Sequence, residues 1–229
     1  MLKYSIMKGT RQHRWLKFIP LILLLACSGG RRYDNQNSMP EKSAVPSQST
    51  QSATQQSSAQ SGTEYYFNTA DNVSVGMIDL KSPVYFQLDN TSLRRVVKGD
   101  KSKYRNENNQ NVYEIKYDDD GFKLRTDQGK LLWKLKYKTG KIKIAPNEEM
   151  TDPFEIKPDG NTAVISKNNS TVVSVNLGEG TIPVIIKTGS RTLMISGPKK
   201  NPVLSLMALK DIPDDQKMVL ITEVLLSDH

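Results

Sequence analysis

Residues 123–144, KLRTDQGKLLWKLKYKTGKIKI, contain the clearest strand pattern in the chain. At 131–138 every second residue is apolar or aromatic, and most of the residues between them are lysine. A period of two predicts a β-strand with one buried face. Gly-containing turn signals at 127–129 and 138–140 separate this strand from its neighbours. The stretch therefore predicts consecutive antiparallel strands.

A second stretch, AVISKNNSTVVSVNLGEGTIPV at 163–184, aligns with the first without a gap at an offset of 40 residues. Leu124 then falls on Val164, and Leu135 falls on Val175. Turns and apolar positions coincide along the whole alignment. The sequence therefore predicts a duplicated β unit.

Short upstream matches extend both copies. YEIK at 113–116 resembles FEIK at 154–157, with one residue of slippage between these tetrapeptides and the aligned stretches. The repeat units are therefore placed at about 112–145 and 153–185. Two such units are expected to close against each other as a barrel or a sandwich.

The C-terminal stretch 201–226, NPVLSLMALKDIPDDQKMVLITEVLL, loses the alternation. Asn201 and Pro202 suit an N-cap and a first helical turn, and Asp214 and Asp215 suit the start of a second helix. A helix that is apolar nearly all round must be buried. The predicted fold is mainly β, an antiparallel barrel or sandwich built from a duplicated unit of about 40 residues, with a buried C-terminal helical segment.

Units such as FKLRTDQGKLLWKLKYKTG at 122–140, followed by an apolar helix, resemble LURP-one-related and tubby-like proteins over about residues 110–227. The resemblance implies a closed β barrel wrapped around that helix, with residues 64–110 adding further strands. Tubby-like proteins bind phosphoinositides, but their binding residues have no match in this sequence. The resemblance therefore implies a fold and no ligand.

The N-terminus has the composition of a secretory signal peptide. Residues 1–26 carry five basic and no acidic residues and include the apolar run FIPLILLLA at 18–26. A membrane-spanning helix needs about 20 apolar residues, so this run is too short to span. We expect a signal peptide that starts at Met1 or at Met7.

The run Leu24-Leu25-Ala26-Cys27 resembles the lipobox of bacterial lipoproteins. The resemblance implies that Cys27 receives a lipid, that the peptidase cuts before it, and that the new amino terminus is acylated. The protein would then be a lipid-anchored membrane protein of the bacterial cell envelope. In a host with two membranes, Ser28 favours the outer one.

Residues 27–63 are expected to form a tether, and residues 64–229 one domain. From 43 to 63, 15 of 21 residues are Ser, Thr or Gln, a composition that cannot bury enough apolar surface to fold. The domain has 24 basic and 22 acidic residues. It therefore lacks the basic excess of a nucleic-acid-binding domain.

Several chemistries are excluded by composition. The only histidines are His13 and His229, and the only cysteine is Cys27, so apart from the terminal His229 the domain lacks the usual nucleophile-activating and zinc-binding or haem-binding residues. DDDG at 118–121 indicates a hairpin turn, since Lys116 stands where a calcium loop needs its first Asp. No cofactor and no metal are expected.

The remaining charged feature is a stripe of lysines on one predicted strand, Lys134, Lys136 and Lys138. We call these three residues the lysine stripe. They are expected either to protect strand edges in solvent or to contact an anionic surface, either lipid headgroups or a cell-wall polymer. The expected function is non-enzymatic binding or a structural role, and the alternative is an envelope enzyme that uses carboxylates or Ser-Lys chemistry.

Overall fold

The computed structural model describes residues 62–228, so the signal peptide, Cys27 and nearly all of the tether lie outside the described residues. This part of the chain contains fourteen strands followed by a 3₁₀ helix, Pro202–Ala208, and an α-helix, α1, Asp214–Ser227. The strands are β1 Glu64–Thr69, β2 Ser74–Asp79, β3 Tyr85–Leu88, β4 Thr91–Lys98, β5 Lys101–Arg105, β6 Asn111–Asp118, β7 Gly121–Thr126, β8 Leu131–Lys138, β9 Lys141–Ala145, β10 Phe154–Asp159, β11 Thr162–Lys167, β12 Ser170–Asn176, β13 Val184–Thr188 and β14 Arg191–Ser196.

All of these strands belong to one antiparallel sheet, which follows chain order from β1 to β12. β14 pairs with the other side of β1, and β13 pairs with β14. β13 therefore lies beside β12, with no hydrogen-bonded ladder between them. The sheet is a nearly closed barrel, which confirms the mainly β fold and selects the barrel from the two predicted architectures.

Tight turns and close strand contacts depend on glycine at particular positions. Gly140, between β8 and β9, has φ 70°, a conformation that most other residues rarely adopt. A Cβ on Gly121 would lie 2.0 Å from the carbonyl oxygen of Leu135. Glycine is therefore required where β7 approaches β8.

The two copies of the β unit form matching hairpins. The upstream match of 113–116 with 154–157, an offset of 41, is confirmed, but the predicted offset of 40 is wrong between β7 and β11. Ile115 pairs with Leu124 across β6 and β7, and Ile156 pairs with Ile165 across β10 and β11. Both pairs are buried. The offset is therefore 41 residues both between β6 and β10 and between β7 and β11.

The one-residue shift between the copies lies in the turn from β7 to β8, which corresponds to the turn from β11 to β12. It does not lie between the tetrapeptides 113–116 and 154–157 and the aligned stretches. Leu124 pairs with Trp133, and Ile165 pairs with Val173, so the second loop is one residue shorter and the offset returns to 40. A slip of one residue moves every side chain to the other face of a strand. Ile165 rather than Val164 is therefore the interior counterpart of Leu124.

The copies also differ in their fourth strand. In the first copy, β9 pairs with both β8 and β10. The aligned segment 177–183 of the second copy forms no strand, and Ile182 is 57% exposed. This segment lies where the barrel remains unpaired, between β12 and β13.

The helical segment fills the barrel, as predicted. Asn201 caps the 3₁₀ helix by accepting a hydrogen bond from the Val203 backbone nitrogen at 2.8 Å, and α1 begins with Asp214 and Asp215. Residues 217–225 are all buried, and the apolar ones join one core cluster with residues from strands all round the sheet. The polar residues Lys217, Thr222 and Glu223 of α1 are therefore enclosed as well.

Candidate functional site

Charge is unevenly distributed along the barrel wall. Residues 91–145, which hold β4–β9, contain 15 basic and 7 acidic residues, whereas the other described residues contain 9 and 15. The near-neutral total therefore hides one strongly basic sector. We call the outer surface of β4–β9 the basic wall.

The structure places the lysine stripe on the outer face of β8, within the basic wall. Lys134 Nζ donates to the Glu148 backbone carbonyl at 2.6 Å. Lys136 Nζ and Lys138 Nζ each lie 2.9 Å from Asp120 Oδ2. These hydrogen bonds, from Lys138 and then Lys136, lower the pKa of Asp120 to about 2. The DDDG turn therefore supplies a partner for lysines.

Strand pairing also produces a second arrangement of lysines, which the sequence analysis missed. Lys98 pairs with Lys101, Lys101 with Lys116, Lys116 with Lys123, and Lys123 with Lys134. These five residues form a continuous line across β4–β8, which we call the lysine row. Like charges directly opposite each other destabilise a sheet, so the row costs stability unless anions lie beside it.

One signal in the sequence could have revealed part of this arrangement. Lys98 and Lys101 of the lysine row flank the two-residue turn Gly99-Asp100. A two-residue hairpin turn places its flanking residues opposite each other. Pairing across longer turns needs the register that only the structure supplies.

At the β8 end of the lysine row, three cations surround one carboxylate. Glu148 lies 3.0 Å from Lys123, 2.8 Å from Arg125 and 3.4 Å from Lys134. Lys123, followed by Lys134, holds the pKa of Glu148 below its usual value. Arg125 Nε is buried and finds no hydrogen-bond partner among the described residues. Glu148 is therefore an ion-pair partner of three cations rather than an isolated surface charge.

The connection that carries Glu148, residues 146–153 between β9 and β10, has an unusual backbone. Asn147 Oδ1 accepts from the Thr151 nitrogen at 2.9 Å. Met150 and Asp152 have φ values of 56° and 47°, in a region that costs energy for residues other than glycine. We call this segment the Glu148 connection.

The Glu148 connection forms one side of a cleft on the basic wall. The cleft has a volume of about 660 Å³, and its residues come from β8, β9 and this connection. They include the lysine stripe together with Lys141 and Lys143. Glu155 contacts both of these lysines at 2.9 and 2.8 Å, and the hydrogen bonds from Lys143 and then Lys141 lower its pKa to about 2.

A second charged cluster lies at the barrel interior and joins α1 to the sheet. Glu223 accepts from Arg95 Nε and the Tyr104 hydroxyl at 2.8 Å each, and from the Tyr117 hydroxyl at 2.6 Å. Burial raises the pKa of Tyr117 to about 12, with Glu223 adding to the effect. Because three donors satisfy the Glu223 carboxylate, the cluster fixes the helix in its barrel.

Other residues with catalytic potential are occupied by structural contacts. Ser102 is hydrogen-bonded to Tyr117 at 2.9 Å, and Ser205 donates to the Pro202 carbonyl at 2.7 Å. Lys217 contacts Asp214 at 2.7 Å. Among residues 62–228, no group of three His, Cys, Asp or Glu residues is placed to hold a metal ion.

No helix within the described range is long and apolar enough to cross a membrane. Comparisons of the chain with known protein families, with curated proteins and with solved structures found no match.

Proposed function

We propose that the chain is a bacterial lipoprotein held in the cell envelope by lipid on Cys27, with a non-enzymatic β barrel that binds anionic material. The lipobox-like run 24–27 and the Ser/Gln-rich tether support the anchor. In a host with two membranes, the anchor lies in the outer one. The tether lets the barrel reach partners at a distance from the lipid.

The basic wall carries the binding proposal. Residues 91–145, which hold its six adjacent strands and their turns, carry 15 basic and 7 acidic residues, and of the basic ones Arg95 points inward to Glu223. The interior is filled by α1. A surface of one dominant charge raises the local concentration of oppositely charged ligands. The partners of this class that an envelope protein meets are anionic lipid headgroups and anionic cell-wall polymers.

The alternative, an envelope enzyme using carboxylates or Ser-Lys chemistry, has less support. The buried serines Ser102 and Ser205 contact a tyrosine and a backbone carbonyl rather than a lysine. The adjacent carboxylates Asp214 and Asp215 contact Lys217 and Tyr113. These contacts tie α1 together and to the barrel wall.

Cys27→Ser tests the anchor, with Ser28→Ala as the matched control. Without the thiol no thioether to lipid can form, so we expect Cys27→Ser to remain unprocessed or to leave the membrane fraction. The Ser28→Ala protein should be processed and retained in membranes. Fractionation and intact-mass analysis measure both outcomes. A processed Cys27→Ser protein that stays in the membrane fraction would contradict the lipoprotein assignment.

A further inference from the structure

We propose that the lysine row is a binding track for a linear polyanion, a chain bearing phosphate-type groups that lies across β4–β8 and ends at the position of the Glu148 carboxylate. The inference rests on the proposed anionic binding function and names its ligand class. It assigns the track to a line across the strands rather than to the lysine stripe along β8.

The spacing of the lysine row suits a chain of repeated anionic groups. Neighbouring strands lie about 4.8 Å apart, so five ammonium-bearing side chains start from evenly spaced points. Lys98 and Lys116 are exposed, and neither contacts a carboxylate among the described residues. A bound anionic chain would offset the repulsion between these directly opposed lysines.

Residues beside the lysine row favour a line of anions over a flat anionic surface. Along β6, Lys116 stands between Glu114 and Asp118, which share its outer face. A lipid surface laid on this strand would meet both carboxylates and the lysine together. A single chain that follows the row would meet lysines on each successive strand.

Recessed lysines at one end of the lysine row also favour a linear polyanion over a lipid surface as the ligand. The side chains of Lys123 and Lys134 are only 17% and 13% exposed, and Glu148 contacts both. A bilayer surface cannot enter beneath a strand connection. A narrow polyanion can reach Lys123 and Lys134 once the Glu148 carboxylate moves aside.

The site of Glu148 has unused capacity for an oxyanion. Arg125 Nη2 donates to Glu148 at 2.8 Å, but Nε remains without a partner. A phosphate-type group offers more oxygens than one carboxylate and suits bidentate binding by a guanidinium. We infer that Glu148 is a resident anion that the ligand displaces. The positive φ values of Met150 and Asp152 show that the backbone is strained where it holds Glu148 there.

The first experiment compares two lysine pairs on the basic wall in the full chain, purified in nonionic detergent, with linear polyphosphate as the probe. Lys98→Gln/Lys116→Gln removes two row charges, and Lys136→Gln/Lys138→Gln removes two stripe charges that lie off the row. We expect the row variant to lose about tenfold in affinity and to lower the slope of log affinity against log salt by roughly 1.4. The stripe variant should change affinity by less than about threefold.

The second experiment tests displacement of Glu148. Glu148→Gln keeps the shape and removes the resident charge, whereas Glu107→Gln makes the same charge change at an exposed turn residue outside the row. We expect Glu148→Gln to bind polyphosphate about five to ten times more tightly than wild type, because the three surrounding cations are freed. Glu107→Gln should stay within about twofold of wild type.

Several outcomes would overturn the inference and separate it from the proposed function. Equal losses in the row and stripe variants would leave anionic binding intact and remove the track. Equal gains in Glu148→Gln and Glu107→Gln would show a general charge effect without displacement. Binding of phosphatidylglycerol vesicles but not of polyphosphate would assign the wall to lipid. If the wild-type chain bound neither polyphosphate nor phosphatidylglycerol vesicles, both the track and the proposed binding of anionic material would be rejected.

Discussion

The two copies of the repeated β unit, β6–β9 and β10–β12, share an interior and differ on their outer face. Ile115 and Ile156 occupy matching interior positions, as do Leu135 and Val175, and all four are buried. Both copies pack these residues into the core cluster that contains α1. The interior is therefore specified by apolar residues at one face of each strand.

The outer faces of β8 and β12 show no such similarity. Lys134 and Lys136 in β8 are replaced by Ser174 and Asn176 at the corresponding positions of β12. The first copy completes a fourth strand, whereas the second leaves segment 177–183 outside the sheet. The fold therefore depends on the residues at the inner face of the strands. The outer face of one copy can carry a binding surface without changing the barrel.

The largest expected effect comes from breaking the interior that both copies share. Ile221 in α1 is fully buried, and Ile221→Asp would place an unpaired charge there at a cost of several kcal/mol, against a typical stability of about 5–15 kcal/mol. We expect unfolding or insolubility. Val172→Asp, on an outer-face residue that is 50% exposed, is the control and should melt cooperatively. A soluble Ile221→Asp protein with a cooperative melt would show that α1 is not the core.

A smaller expected effect on stability tests which residues of the two copies correspond to each other. Leu124→Ala and Ile165→Ala each remove a buried side chain and should cost about 2–5 kcal/mol in the free energy of unfolding. Val164→Ala alters an outer-face residue and should cost less than about 1 kcal/mol. Urea unfolding measures all three. If Val164→Ala lowered the free energy of unfolding as much as Leu124→Ala, and Ile165→Ala lowered it little, Val164 would be the counterpart of Leu124. The offset would then be 40 along both copies.

Much of the fold follows from local patterns. Alternation at 131–138 predicts β8 and its buried face, and the apolar stretch 218–226 predicts a buried helix, because each pattern depends only on nearby residues. The resemblance implies further strands within residues 64–110, but no local pattern picks out β4 and β5, although Gly99-Asp100 marks the turn between them. β4 has Arg95 on its inner face and β5 has Ser102 there, so neither strand alternates cleanly between apolar and polar residues.

Features that depend on register could not be predicted. The offset change at Ile165 depends on a loop that is one residue shorter, and both alignments match apolar residues well. The lysine row combines residues from five strands and appears only when their pairing is known. The ion pairs of Glu148 and the hydrogen bonds that Glu223 receives join residues far apart in the chain, which no local pattern reports.

The central claim is that the basic wall, and not the charge of the barrel in general, binds anionic material. The most direct measurement compares Lys98→Gln/Lys101→Gln/Lys116→Gln, which removes three charges of the lysine row, with Lys81→Gln/Lys187→Gln/Lys210→Gln, which removes three exposed charges outside the basic wall. Each surface change should alter stability by about 0.5 kcal/mol or less, so both proteins should melt like wild type.

Co-sedimentation at low salt, with anionic vesicles and with an anionic wall polymer, measures the binding. The account predicts that wild type and the Lys81/Lys187/Lys210 variant bind alike, that the Lys98/Lys101/Lys116 variant binds much less, and that added salt weakens all binding. Equal binding by the two variants, or no binding by wild type to either anionic surface, would contradict it.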